Sequence, residues 1–279
     1  MIYTFPVHHA YQRWFGQVPS FYYASDNYVE DYGFHPAHVA TWECSLVRGV
    51  RRVFAVSEDL ADILAARYDV SREKFVVVPN GLPQERIPQK LAETRPPAPN
   101  PVPKHFRPLV GVLGGINKRL RLDWVLQAVE ALPSLHWAFV GPVGELDEAT
   151  AGALTALTSH PRCCFTGAQD YERLFDFAES FDVAVVPLGP DGINSTCSPV
   201  RLFTQLPFGQ PILATSGCRQ LEEFAPAVDV LSSADQLIES LRRLEKAHFC
   251  DGLETRRREL AGENTWQKRA QTIFQHLSF

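Results

Sequence analysis

The stretch Leu109-Val110-Gly111-Val112-Leu113-Gly114-Gly115-Ile116-Asn117-Lys118-Arg119 decides the fold, together with Leu122, Val125, Leu126 and Val129 just after it. The apolar run predicts a strand over 109–113, and the paired glycines predict a tight turn. The apolar positions that follow recur at helical spacing and mark one helix face. Strand, turn and helix in that order open a βαβ unit. Toward the C-terminus the strand signal returns at Trp137–Val140, Cys163–Phe165, Asp182–Val186, Ile212–Ala214 and Val228–Val230. Helical periodicity marks Leu174–Ala178, Val200–Leu206 and Leu237–Leu244. These strands are apolar throughout rather than alternating, as a parallel sheet covered on both faces requires.

Toward the N-terminus the same grammar is thinner. Strands are expected at Ile2–Phe5, Phe21–Ala24, Val53–Val56 and Phe75–Val78. Ser57 is placed to cap a helix, with Glu58 and Asp59 at its positive end and Leu60, Ile63, Leu64 and Tyr68 on its apolar face. Pro79-Asn80-Gly81 is turn chemistry. Prolines at 96, 97, 99, 101, 103 and 108 make the next stretch extended and stiff, which reads as a linker. The expected organisation is a partial front domain over 1–84, a linker over 85–108, a complete α/β domain over 109–263 and a closing helix over 264–279.

Composition bounds the function. The chain has 279 residues, 45% hydrophobic and 21% charged, with a formal net charge of -5. No extended basic face of the kind that neutralises phosphates is present, so nucleic acid is not expected as a partner. Arg51-Arg52 and Arg256-Arg257-Arg258 read as solvated helix faces. The six cysteines form no CxxC pair and the histidines are scattered, so neither a disulfide framework nor a metal site is expected. No apolar run reaches the length of a membrane span, and no secretory signal is visible. The expectation is a soluble, cytoplasmic protein, open to peripheral contact with a membrane surface through an amphipathic helix.

Ligands of open parallel sheets bind beyond the carboxyl ends of the strands, which directs attention to four loops. Gly114-Gly115-Ile116-Asn117-Lys118-Arg119 combines glycines that let a phosphate approach with two cations. A plain tight turn is the competing reading, and the dinucleotide fingerprint is absent because the glycine spacing is wrong. Val140-Gly141-Pro142-Val143-Gly144 and Phe165-Thr166-Gly167-Ala168-Gln169 divide evenly between structural turns and ligand-lining loops. The strongest is Asn194-Ser195-Thr196-Cys197-Ser198-Pro199-Val200-Arg201, a polar loop entering a helix, where free N–H groups and Arg201 suit a pyrophosphate.

These loops, in this order, resemble the donor-binding domain of GT-B glycosyltransferases, nearest to the retaining group called family 4, or glycosyl transferases group 1. Asp182–Leu188 is similar to that family's Asp-Val-x-x-x-Pro strand. Ser198–Thr215 is similar to its Pro-Leu-Lys-hydrophobic-aromatic-Glu-Tyr-Leu-Ala-x-Gly-Lys-Pro-Val-Val-x-Thr stretch. Tyr23–Tyr28, Phe54–Leu60 and Val78–Gly81 resemble acceptor-domain segments, and Asn264–Ala270 resembles the closing Trp-containing helix, which in the family packs back on the first domain. The resemblance implies two Rossmann-like domains, the N-terminal one incomplete and the C-terminal one complete. Two departures stand out. Thr196 and Thr204 occupy positions where the family commonly has glutamates, and the Gly-rich first unit has no counterpart. Because a half-domain would expose sheet edges, a truncated sequence is the expected reason.

The resemblance implies a hexosyltransferase moving a sugar from a nucleotide-sugar donor to an acceptor hydroxyl, retaining, metal-independent and without a cofactor, in polysaccharide or glycoconjugate synthesis. The acceptor would be a sugar or a lipid-linked glycan. Arg119 and Arg201 are the expected catalytic cations, stabilising the leaving diphosphate. Gly114, Gly115, Lys118, Gly141, Gly167, Ser195, Thr196, Ser198, Pro199 and Thr204 are the expected donor-binding set. His8 and His9 read as surface histidines. The competing reading is a catalytically inactive GT-B-like partner or scaffold. An epimerase lacks a visible carboxylate and histidine set, and a dehydrogenase lacks its fingerprint.

Overall fold

The computed structural model describes residues 1–30, 33, 35–90 and 94–277. The last two residues of the expected closing helix, 278 and 279, lie outside that set. Contacts divide the chain into two compact units. The first is Met1–Gly81 with Asp191–Ser198 and Trp266–Phe279, and the second is Leu82–Pro190 with Pro199–Thr265.

The first unit holds a four-stranded parallel sheet in the order β1 (Ile2–Tyr3), β2 (Phe21–Ala24), β3 (Arg52–Ala55), β4 (Phe75–Val77). A 3-10 turn over Pro6–Tyr11 and α1 (Gln12–Phe15) follow β1. α2 (Pro36–Gly49) and α3 (Glu58–Tyr68) connect the later strands. Side chains alternate between sheet faces with a period of two. Tyr22, Ala24, Val53 and Ala55 therefore join a core with Leu46, Val47, Leu60 and Leu64 of α2 and α3. Phe21 and Phe54 point to the other face, where Ile273 and Leu277 pack against them. Ser57 caps α3 through its hydroxyl, which accepts from the Leu60 N–H at 3.1 Å. α2 was not foreseen: its apolar positions are too sparse to announce a helix, and tertiary packing decides it.

Inside this core lies one carboxylate. Glu43 of α2 is fully buried and accepts hydrogen bonds from the Tyr22 and Tyr68 hydroxyls, each at 2.7 Å. Burial raises its pKa, with the two hydrogen bonds and Arg67 working in the opposite direction. Burial also pushes the Tyr23 phenol up to about 12, against the pull of Arg269.

The second unit carries a six-stranded parallel sheet. Its strands are β5 (Leu109–Leu113), β6 (His136–Val140), β7 (Cys163–Phe165), β8 (Val183–Val186), β9 (Ile212–Thr215) and β10 (Val228–Leu231), ordered β10-β9-β8-β5-β6-β7. Every residue of β5, β8 and β9 is buried, as continuous apolar strands between two helical layers must be. α4 (Leu122–Ala131), α5 (Glu148–Thr158) and α6 (Tyr171–Ser180) connect the first four strands. α7 (Gly192–Thr196), α8 (Val200–Phe203), α9 (Ala234–Lys246), α10 (Glu254–Glu263) and α11 (Trp266–His276) follow, α7 and α11 belonging to the first unit.

The Pro-rich stretch lies within the second unit. Arg107 donates to the Ser180 carbonyl at 2.7 Å and to Asp182 at 3.0 Å, Arg95 donates to the Phe208 carbonyl at 2.8 Å, and Val102 and Phe106 are buried. Proline supplies stiffness, while these anchors decide that the segment lies on a surface, and no composition rule announces them.

Candidate functional site

The strand order fixes where a ligand can sit on the second unit. From β5 the chain steps outward through β6 and β7, then returns to place β8 on the other side of β5. The two connections diverge at the carboxyl ends of β5 and β8, opening the crevice where open α/β sheets bind ligands.

At the end of β5, Gly114 has φ 91° and Arg201 of α8 comes so close that a Cβ there would lie 3.1 Å from its guanidinium. The Gly114 N–H donates to the Val140 carbonyl at 2.9 Å. That bond removes Gly114 as an N–H donor to a ligand, so its service is conformational. The Arg201 guanidinium donates to the Gly115 carbonyl at 3.2 Å. This is one of the clearest convergences in the chain: residues 86 positions apart meet at the switch point. Gln205 donates in turn to the Arg201 carbonyl at 2.9 Å and is fully buried. Its side-chain oxygen has no partner among the described residues.

The loop after β6 is locked to the loop after β5. Gly141 has φ 150°, and a Cβ there would lie 2.3 Å from the Gly114 oxygen. Gly141 also bridges to Gly167, which has φ 69°. The Ile116 N–H donates to the Pro142 carbonyl and Gly144 N–H to the Ile116 carbonyl, each at 2.9 Å. On the β8 side the Gly189 N–H donates to the Arg119 carbonyl at 2.7 Å, and Arg121 N–H to the Pro187 carbonyl at 2.8 Å. Three of the four loops singled out in the sequence therefore form one hydrogen-bonded rim. Lys118 stands at its exposed edge, paired with Glu145 at 2.9 Å. Arg119 is half-buried.

Pro199 precedes α8, which has four residues, shorter than the helix expected over Val200–Leu206. Thr204 ends it, is buried, and donates its hydroxyl to the Val200 carbonyl at 3.1 Å. So short a helix aligns few peptide dipoles, which leaves Arg201 as the main positive charge on this side.

Ser195, Thr196 and Ser198 have a different setting. What reads as a polar loop folds into α7, capped by Asp191, whose carboxylate accepts from the Asn194 N–H at 2.6 Å. This segment belongs to the first unit. The Ser57 hydroxyl donates to the Thr196 carbonyl at 2.6 Å, and the Ser198 hydroxyl accepts from the Asn80 N–H at 2.9 Å. The Thr196 hydroxyl donates within its own helix, to Gly192 and Ile193 carbonyls at 3.1 Å, and Ser195 is exposed. Ser57 and Asn80 are the residues that sequence reading did not connect with this segment. Both were visible as a cap and a turn, but their second hydrogen bonds are long-range. Among the described residues no group of histidine, cysteine, aspartate or glutamate side chains is arranged to hold a metal ion, and no helix is long and apolar enough to cross a membrane.

Comparison with known proteins converges on one fold. The family model for Glycosyltransferase Family 4 matches residues 5–86. The putative teichuronic acid biosynthesis glycosyltransferase TuaH of Bacillus subtilis (strain 168) is 24% identical over 229 residues, covering 80% of this chain and 56% of that protein. The chain thus spans little more than half of that relative's length. Among solved structures, Anabaena HepE in complex with UDP and glucose aligns with a TM-score of 0.73 at 12% identity, over 98% of this chain and 75% of that one. WaaG, a glycosyltransferase involved in lipopolysaccharide biosynthesis, aligns with a TM-score of 0.68 at 16% identity, over 90% and 73%. The two parallel sheets described above are those of the GT-B glycosyltransferase fold.

Proposed function

We propose that this chain, which has the GT-B fold, serves transfer of a sugar from a nucleotide-sugar donor to an acceptor hydroxyl, with the donor diphosphate held at the β5–β8 switch point. The observation that carries this reading is Arg201 closing on Gly115 at the carboxyl end of β5. A guanidinium fixed beside a glycine turn is a preorganised partner for a diphosphate, because it neutralises charge that grows as the leaving group departs. HepE, whose fold is similar, was crystallised with UDP and with UDP-glucose, which supports a nucleotide-sugar donor for this chain.

In this reading Arg201 and Arg119 stabilise the leaving diphosphate, and Lys118 adds charge at the rim. Gly114 and Gly141 permit the close loop approach, the Gly115 N–H donates to a phosphate oxygen, and Gly167 lines the neighbouring turn. Pro199 and Thr204 shape α8. The reaction is retaining, and the cations serve in place of a metal. The acceptor is a growing glycan, free or lipid-linked, and the reaction takes place in the cytoplasm; polysaccharide or glycoconjugate synthesis is supported by the likeness to TuaH, a putative teichuronic acid biosynthesis glycosyltransferase.

One observation favours a second reading, a partner that binds without turnover. Thr196 and Thr204 stand where the resemblance expects glutamates, and both hydroxyls donate to backbone carbonyls of their own helices. The deciding experiment is a thermal-shift titration with nucleoside diphosphates, followed by a donor-hydrolysis assay with the nucleotide that binds. A shift that disappears in Arg201→Ala supports the donor site. A shift without hydrolysis or transfer supports the binding partner, and no shift from a folded sample overturns both.

A further inference from the structure

α8 spans a single turn, Val200–Phe203, and Arg201 lies inside it. A helix this short has almost no internal ladder, so its carbonyls must find partners elsewhere. The chain tightens straight after it. The Gln205 backbone N–H donates to the Leu202 carbonyl, three positions back, at 3.0 Å, and a 3-10 turn follows over Leu206–Phe208. In a continuing α-helix that N–H would serve the Arg201 carbonyl, four positions back. The Gln205 side chain serves it instead, with Nε2 donating at 2.9 Å. Arg201 is thus tied at both ends, its guanidinium to the Gly115 carbonyl at 3.2 Å and its backbone carbonyl to Gln205.

Gln205 stands where stability by itself does not favour an amide. It is fully buried, and its sequence neighbours Leu202, Phe203, Leu206 and Phe208 are buried as well. Its Oε1 has no hydrogen-bond partner among the described residues. A buried acceptor in that state costs at least as much as a neutral hydrogen bond returns. The amide is oriented by its neighbour: a carbonyl needs a donor, so the nitrogen faces Arg201 and the oxygen takes the unpaired place. Gln205 keeps no exposed surface for a ligand to touch, so whatever it does for the site passes through Arg201.

We propose that Gln205 is a positioning residue for the diphosphate site: by holding the Arg201 peptide it keeps the guanidinium at the carboxyl end of β5, ready for a diphosphate. This rests on the role given to Arg201 above. A guanidinium on a long side chain stabilises charge only as far as its geometry is fixed before the ligand arrives. The amide is needed for its donor and not for its size. Methionine, of similar length and apolar, would fill the space and leave the Arg201 carbonyl without this bond. Glutamate would offer that carbonyl an acceptor when ionised and a donor only when protonated.

The test is calorimetry of the full chain with whichever of UDP, GDP, CDP and ADP raises its melting temperature, on the parent, Gln205→Met, Arg201→Ala and the double variant. Gln205→Met should weaken binding about five-fold and Arg201→Ala about thirty-fold. The double variant should bind like Arg201→Ala alone, because Gln205 acts through that one side chain. The melting temperature of Gln205→Met should match the parent, since the variant loses the unpaired oxygen along with the bond. Gln205→Glu should bind about five-fold more weakly than the parent at about pH 8 and regain parental affinity as the pH falls toward about 5, where a buried carboxyl is protonated. Gln205→Met should show no such recovery. Binding by Gln205→Met as tight as the parent's, beside a weakened Arg201→Ala, overturns the proposal and leaves the donor site standing. Losses that add in full in the double variant, or a Gln205→Glu that stays weak in acid, make Gln205 a packing residue and overturn it too. Binding of none of the four nucleotides, or an Arg201→Ala that binds like the parent, overturns the donor reading and this proposal with it.

Discussion

The two units are built from the same parts and finish them differently. In the second, six parallel strands are enclosed by helices, and the loops at their carboxyl ends are tied into a rim by backbone bonds such as Gly114 N–H to Val140 and Gly189 N–H to Arg119. In the first, four strands end on one side at β1, two residues long and paired only with β2 among the described strands, beside a cluster of exposed aromatic rings. The second unit uses its glycines to bring the loops after β5, β6 and β7 together. The first buries a carboxylate in its core and leaves rings at its surface. One sheet plan thus takes two different finishes, because the strands set position and the loops and end strands set chemistry.

The comparison can be broken most forcefully at Gly141. If the rim is a rigid cradle, Gly141→Val drives a Cβ into the Gly114 oxygen at a φ that L side chains rarely adopt. Denaturant unfolding should show a loss of about 3 kcal/mol, and the nucleotide-dependent thermal shift should vanish. Unchanged stability would mean that the rim is pliable. Next comes the charge. Arg201→Ala should cost about 2 kcal/mol of nucleotide affinity by calorimetry, and Arg201→Lys should recover only part of it because an ammonium lacks the bidentate fork. Full recovery would reduce Arg201 to a point charge.

The first unit is probed through Glu43. Its pKa is raised in the fold, chiefly by burial, so the folded state holds the proton more tightly than the unfolded chain. Its contribution to stability is complete below the ordinary carboxylate pKa and is lost as pH rises through the raised value. Glu43→Gln keeps an acceptor for Tyr22 and Tyr68 and removes the titration. Melting curves from pH 4 to 8 should show the substituted protein losing less stability than the parent over that rise; parallel curves would show that Glu43 is fully compensated. The smallest expected effect is at Ser57, which caps α3 and also donates to the Thr196 carbonyl. Ser57→Ala should cost about 1 kcal/mol by thermal unfolding, with the nucleotide shift retained because α7 carries no diphosphate contact in the proposed site.

Legibility followed the range of the interactions. β5 and its glycine turn were readable because apolar continuity and Gly-Gly are local signals, and the same holds for β8 and for the α3 cap at Ser57. α2 was not readable, since Glu43 stands on its buried face with Val39, Leu46 and Val47 and only packing on the sheet makes it a helix. α7 was read as a loop because Gly192-Ile193-Asn194-Ser195-Thr196 has weak helix propensity. The Asp191 cap and the bond from Ser57 hold it.

By itself the sequence determined the parallel α/β class, the strand positions and the glycine turns at the strand ends, because each rests on periodicity or turn chemistry within a few positions. Only the tertiary structure decided that Arg201 closes on Gly115, that the Gly114 N–H is already engaged, that Asp191–Ser198 packs with the first unit, and that Glu43 lies inside while Trp14 lies outside. Those outcomes depend on contacts between residues tens of positions apart, whose closure is decided by the packing of the whole sheet rather than by any local pattern.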